Sequence, residues 1–168
     1  MSYTSPEILS PDELYPTLDI MAAAFLEGES DAVCVTSNLS ALIYDLLPNL
    51  NWVGFYRVKG EHLILGPFQG KPACTRIAKG KGVCGTCWET NAPQLVYNVH
   101  DFPGHIACDS ASNSELVLPI HNCMGEFCAL LDIDSPLVGR FTKDDLDGLL
   151  NIIRRLETWM RENQIQSY

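Results

Sequence analysis

Trp52-Val53-Gly54-Phe55-Tyr56-Arg57-Val58, then Lys59-Gly60, then His62-Leu63-Ile64-Leu65 reads as two β-branched and aromatic strands joined by a tight turn. This hairpin decides the fold, because everything before it is helical in pattern and sheet structure begins with it. Upstream, Ser10-Pro11-Asp12-Glu13 places proline at a first helical position, with Glu13 three residues after a serine cap, so a helix is predicted over about 10–26. Val33, Leu39, Leu42, Ile43, Leu46 and Leu47 lie on one helical face that ends at Pro48.

Downstream, Gly66-Pro67-Phe68-Gln69-Gly70-Lys71-Pro72 is predicted to break the second strand. Lys79-Gly80-Lys81-Gly82-Val83-Cys84-Gly85 is a glycine-rich turn into a short helix near 84–91. Gln94 to Val99, Glu115 to Ile120 and Glu126 to Asp132 read as further strands, with a long polar connection over 100–114. Thr142-Lys143-Asp144-Asp145 resembles a capping box opening a helix to about Gln164, with Leu146, Leu149, Ile153, Leu156 and Met160 on one stripe. The order predicts an α+β sandwich, a central antiparallel sheet of about six strands flanked by N- and C-terminal helices, as a single domain over 1–168.

Composition limits the partners. The chain has 168 residues, 46% hydrophobic and 19% charged, with a formal net charge of −10, so nucleic acid and anionic membrane surfaces would be repelled by the average field. The first residues show neither a basic nor an apolar targeting region, and no run of 18 apolar residues occurs, so a cytoplasmic protein is expected. Seven cysteines in such a chain point to metal or redox chemistry ahead of structural disulfides.

The cysteines divide by surroundings. Cys34, on the second helix, and Cys128, among Phe127, Ala129, Leu130 and Leu131, read as small buried hydrophobes. Cys123 sits in a turn and carries no assigned role. Cys74 and Cys108 lie in irregular polar segments, where a thiolate can be reached and a second thiol can capture its oxidised product. Cys84-Gly85-Thr86-Cys87 followed by His105-Ile106-Ala107-Cys108 also has the spacing of a zinc ribbon, a rival weakened by a chain apolar enough to fold without a metal staple. His105 is more simply a structural hydrogen-bond partner. Asp132 and Asp134 share one strand face, and Glu115 closes on the same loop system. Clustered carboxyls disfavour one another's ionisation, so one of them can remain protonated and donate to an oxygen.

Several blocks occur together and in order: Gly66-Pro67-Phe68-Gln69-Gly70, Ala73-Cys74-Thr75-Arg76-Ile77, Gly80-Lys81-Gly82-Val83-Cys84-Gly85, Phe102-Pro103-Gly104-His105-Ile106-Ala107-Cys108-Asp109, Ser114-Glu115-Leu116-Val117-Leu118-Pro119 and Leu131-Asp132-Ile133-Asp134-Ser135. In these blocks the chain closely resembles the free methionine-(R)-sulfoxide reductases, whose fold is a GAF domain. The resemblance implies Cys108 as the catalytic thiol, Cys74 as the main resolving thiol and Cys84 as a second recycling thiol. It implies Trp52 and Tyr56 as pocket aromatics, and Glu115, Asp132 and Asp134 as substrate-binding carboxylates. It further implies turnover of free methionine (R)-sulfoxide through a Cys108 sulfenic acid and a Cys74–Cys108 disulfide, recycled by a thioredoxin-like reductant. Neither a metal nor an organic cofactor is required, and a homodimer is consistent with the family. Cys87 and Cys128 depart from the small residues expected at their places. The rival from another class is a GAF-type sensor that binds a small ligand without turnover.

Overall fold

The computed structural model describes residues 9–104 and 111–166. Helix α1 (Pro11–Leu26) begins where the Glu13 carboxylate accepts the Ser10 backbone N–H at 3.1 Å, and it buries Leu14, Leu18, Ala22 and Leu26 at four-residue spacing. Helix α2 (Ala32–Leu46) is capped by Asp31, whose carboxylate accepts the Cys34 N–H at 2.8 Å. Helix α4 (Lys143–Glu162) opens on the expected box: the Thr142 N–H donates to Asp145 at 2.7 Å, and the Thr142 hydroxyl accepts the Asp145 N–H at 3.4 Å. The short helix α3 (Gly82–Thr90) follows the glycine-rich turn. Among the described residues no helix is long and apolar enough to cross a membrane.

Among the described residues, six strands form one antiparallel sheet: β1 (Trp52–Lys59), β2 (His62–Gly70), β3 (Arg76–Ala78), β4 (Gln94–Val96), β5 (Ser114–His121) and β6 (Phe127–Ser135), in the order β3-β2-β1-β6-β5-β4. Period-two alternation gives the sheet two unlike faces. Val53, Phe55, Leu116, Leu118, Ile120, Ala129, Leu131 and Ile133 join the core made with α1, α2 and α4. Trp52, Tyr56, Val117 and Leu130 point the other way, into a second core that includes Val83, Cys84 and Cys87 of α3.

The structure corrects several expectations. The Gly66-Pro67 pair does not end β2, which runs to Gly70. Tyr56 pairs with Leu65 and Gly54 with Phe68, so Phe55 alone faces Gly66 and Pro67 across a bulge. A proline without an N–H is tolerated where the ladder is already interrupted. Gly66 is required there, since a Cβ would lie 2.9 Å from the Phe55 carbonyl oxygen. The strand from Gln94 stops at Val96, and Val99–Asp101 form a 3-10 turn whose Asn98 cap accepts the His100 N–H at 3.2 Å. Strand β3 was not foreseen. Strand β6 extends to Ser135, so Asp132 and Asp134 sit within it and not at its end. Cys34 and Val33 are exposed, because the buried face of α2 runs through Val35, Leu39, Leu42 and Ile43. Cys128 is buried as expected, and its thiol donates to the Ile120 carbonyl at 3.5 Å.

Candidate active site

Strand register assembles the site. β6 lies between β1 and β5, and its pairing sets Trp52, Asp134 and Glu115 in one cross-strand row, with Gly54, Asp132 and Val117 in the next. Paired residues on one face of such a ladder stand about 5 Å apart. Four residues named from sequence (Trp52, Glu115, Asp132 and Asp134) therefore converge although they come from three strands. Tyr56 lies one row further along the same face, opposite Leu130.

Helix α3 covers this face and delivers Cys84. It packs tightly: a Cβ on Gly85 would lie 2.5 Å from the Ala78 carbonyl oxygen, so only glycine permits this approach to β3. The Cys84 thiol meets Asp132 Oδ2 at 3.3 Å and Glu115 Oε1 at 3.9 Å, and all three ligand atoms lie within 4.8 Å of one another. Glu115 and Asp132 are both 7% exposed. Asp132 Oδ1 is buried without a hydrogen-bond partner among the described residues.

Electrostatics follow from this crowding. Burial, then the charge of Asp132, pushes the Glu115 carboxyl well above its ordinary range. Burial raises Asp132 as well, to about 6, while hydrogen bonds from Cys84 and Glu115 restrain the rise. Glu115 is therefore the carboxyl that keeps its proton and Asp132 the one that carries charge. Burial, followed by the Asp132 and Glu115 charges, raises the Cys84 thiol well above the ordinary value.

An aromatic wall borders the carboxylates. Trp52 stacks with Phe68 at 5.4 Å and with Tyr56 at 5.9 Å between ring centroids. Its indole N–H donates to the Lys71 carbonyl at 3.1 Å. Gly54 makes room for that ring, since a Cβ would stand 2.3 Å from Trp52 Cη2 and 2.5 Å from Phe68 Cβ. The Tyr56 hydroxyl donates to the Cys74 carbonyl at 2.9 Å. Tyr56 thus holds the backbone that carries Cys74, in addition to lining the second core.

Cys74 is half-buried against that core and is disulfide-bonded. Cys34, Cys84, Cys87, Cys123 and Cys128 are free thiols. Cys108, with His105 and Asp109, lies outside the described residues. The flank that follows is pinned by Asn113, whose backbone carbonyl accepts the Val99 N–H at 3.0 Å and whose N–H donates to Ser135 at 2.8 Å.

The described half of the ribbon spacing does not form a metal knuckle. Cys84 and Cys87 sit in one helix; Cys84 faces the carboxylates, while Cys87 is buried in the apolar core, which pushes its thiol up to about 12. Sequence reasoning missed Gly54 and Phe68 as parts of the aromatic wall. The strand alternation of Trp52, Gly54 and Tyr56 was the available signal for Gly54. Phe68 was hidden by the bulge.

No protein-family model matches the chain. The chain is similar to the free methionine-R-sulfoxide reductase of Escherichia coli (strain K12), at 46% identity over 149 residues, 89% of this chain and 90% of that protein. It is similar to the solved structure of the Staphylococcus aureus fRMsr in complex with its substrate, with a TM-score of 0.83 and 44% identity over 87% of this chain and 95% of that one. A solved GAF domain superimposes with a TM-score of 0.84 at 36% identity, covering 96% of this chain and 92% of that one. A GAF sheet that gathers a buried acid pair, a tryptophan wall and cysteine thiols on one face, in a chain this close to such relatives, places it by family: the chain belongs to the free methionine-R-sulfoxide reductases.

Proposed function

We propose that this chain reduces free L-methionine (R)-S-oxide to L-methionine with its own cysteines, acting as a single GAF-like domain over 1–168. The observation that carries the proposal is the buried Glu115–Asp132 pair beside Cys84, in register with Asp134 and Trp52. A sulfoxide oxygen leaves sulfur only when protonated or strongly hydrogen-bonded. Glu115, holding a proton in the desolvated site, supplies that donor. Asp132 and Asp134 receive the substrate's ammonium group, which selects the free amino acid over a peptide-linked residue. Trp52 holds the S-methyl group against its ring and favours one sulfur configuration.

The Cys108 thiolate attacks the protonated sulfoxide, the hydroxyl passes to Cys108 Sγ as the substrate's S–O bond breaks and its electron pair returns to the substrate sulfur, and methionine departs, leaving Cys108 as a sulfenic acid. The Cys74 thiol displaces water from that sulfenic acid to form a Cys74–Cys108 disulfide, and a thioredoxin-like dithiol reduces it by exchange. The disulfide-bonded state of Cys74 and its anchoring by Tyr56 support this order. Cys84, whose thiol is kept protonated by burial and by the carboxylates, takes second place in recycling. The same reading places the protein in the cytoplasm, with thioredoxin as reductant, a homodimer as its assembly, and no nucleic acid or membrane partner, in keeping with the charge of −10.

The test is methionine formation by the pre-reduced protein without an added reductant. Stoichiometric methionine from the Cys74→Ser variant, none from Cys108→Ser, and full turnover restored to the parent by thioredoxin are expected. Binding of the sulfoxide with no methionine formed would favour the sensor instead. Turnover by Cys108→Ser would remove the assigned nucleophile.

A further inference from the structure

The cluster of Cys84, Glu115 and Asp132 combines a soft donor with two hard ones in a buried setting. A tetrahedral zinc ion with a thiolate at about 2.3 Å and a carboxylate oxygen at about 2.0 Å sets sulfur and oxygen about 3.5 Å apart. The two sulfur–oxygen separations here, 3.3 and 3.9 Å, bracket that edge, and no pair among the three ligand atoms exceeds 4.8 Å. A second observation is independent of this spacing. Asp132 is 7% exposed, and while its Oδ2 lies 3.3 Å from the Cys84 thiol, its Oδ1 has no hydrogen-bond partner among the described residues, so one buried acceptor oxygen of this carboxylate is left for a cation to satisfy.

We propose that Cys84, Glu115 and Asp132 form a binding site for a thiophilic divalent cation, Zn²⁺ or Cd²⁺, with its open coordination position toward the substrate side of the sheet. The set differs from the ribbon spacing, because Cys87 points into apolar packing and takes no part. On binding, the Cys84 thiol proton and the Glu115 carboxyl proton both leave for solvent, and bonds from the metal to Cys84 Sγ and to a Glu115 oxygen replace them. The proton donor Glu115 and one of the two carboxylates that receive the substrate's ammonium group, Asp132, are then occupied. The site is inhibitory, a consequence that rests on the reductase reading above.

The test uses oxidised protein, with Cys74 in its disulfide, in a Cys34→Ser/Cys123→Ser background that removes the exposed and half-buried thiols. Cadmium is titrated and read by thiolate-to-cadmium ultraviolet absorption and by equilibrium dialysis. One cadmium per chain with that absorption is expected. The absorption disappears in Cys84→Ser, and affinity falls about 10–100-fold or more in Asp132→Asn. Should the serine variant not fold, Glu115→Gln keeps the thiol and shows the same fall in affinity. Absorption that survives Cys84→Ser, no absorption in the parent, or unchanged affinity in a folded carboxylate variant overturns the site. Sulfoxide turnover is measured separately without metal: cadmium binding without turnover overturns the reductase reading alone, and turnover without cadmium binding overturns this site alone.

Discussion

Replacing Asp132 with asparagine should make the protein more stable at neutral pH while removing its activity. In the folded chain burial lifts this carboxyl from 3.8 to about 6. Between those values the folded chain holds a proton that the unfolded chain has released, so stability falls as pH rises through the interval and the whole cost is present above it. At about 1.4 kcal/mol per pH unit the cost is about 3 kcal/mol. Asparagine keeps the shape without the charge but gives up the thiol–carboxylate hydrogen bond with Cys84, a loss of about 1 kcal/mol. The net gain is about 2 kcal/mol, which raises the melting temperature by about 4–8 °C in a domain of this size. Thermal melts of parent and variant across pH 4 to 8 provide the assay. The variant should be slightly less stable than the parent at pH 4, overtake it as the pH rises toward 6, and hold a level advantage above that. A variant less stable than the parent at pH 8, or an advantage independent of pH, would refute the reasoning.

Gly54→Ala should cost about 1–3 kcal/mol by driving a methyl group into Trp52 and Phe68, with a raised KM for the sulfoxide, checked by urea melts and initial rates. Tyr56→Phe should lose about 1 kcal/mol with the hydrogen bond to the Cys74 carbonyl. Its first, reductant-free round should be preserved and recycling slowed, which a burst measurement separates. Asp145 behaves oppositely to Asp132: burial raises its pKa, but the Tyr15 hydroxyl at 2.6 Å, Thr142 and Arg140 outweigh burial and hold it below the usual range. Its contribution is present at neutral pH and lost as pH falls through the folded value. Asp145→Asn should therefore destabilise by about 1–2 kcal/mol at pH 7 and by progressively less as the pH falls through the folded value, as read by urea midpoints.

The helices were legible because their signals are local. Glu13 and Asp145 close their capping boxes within three residues, and the buried stripe of α4 has a 3.6-residue period. The alternation Asp132-Ile133-Asp134 likewise put both carboxyls on one strand face. What escaped depended on neighbours distant in sequence. Gly66-Pro67 looks like a strand end until Phe55 is placed opposite it, and β3 is too short to show alternation. Val33 and Cys34 fell on the wrong side of a helix whose phase is set by contacts with the sheet. Cys84 lies 31 residues from Glu115 and 48 from Asp132, so no spacing rule assigns the shared proton. That assignment to Glu115 needs the burial of both carboxyls. The roles of Cys108 and Cys74 came from the family resemblance and not from periodicity, and Cys108 lies outside the described residues.

The central claim is most directly tested by giving the reduced protein, with a thioredoxin recycling system, a racemic mixture of free methionine sulfoxide and resolving the isomers by chiral chromatography. The account predicts that the R isomer is consumed and converted to methionine, the S isomer remains, and N-acetylated sulfoxide is left largely untouched because it lacks the ammonium group. Persistence of both free isomers, or consumption of the S form, would contradict it.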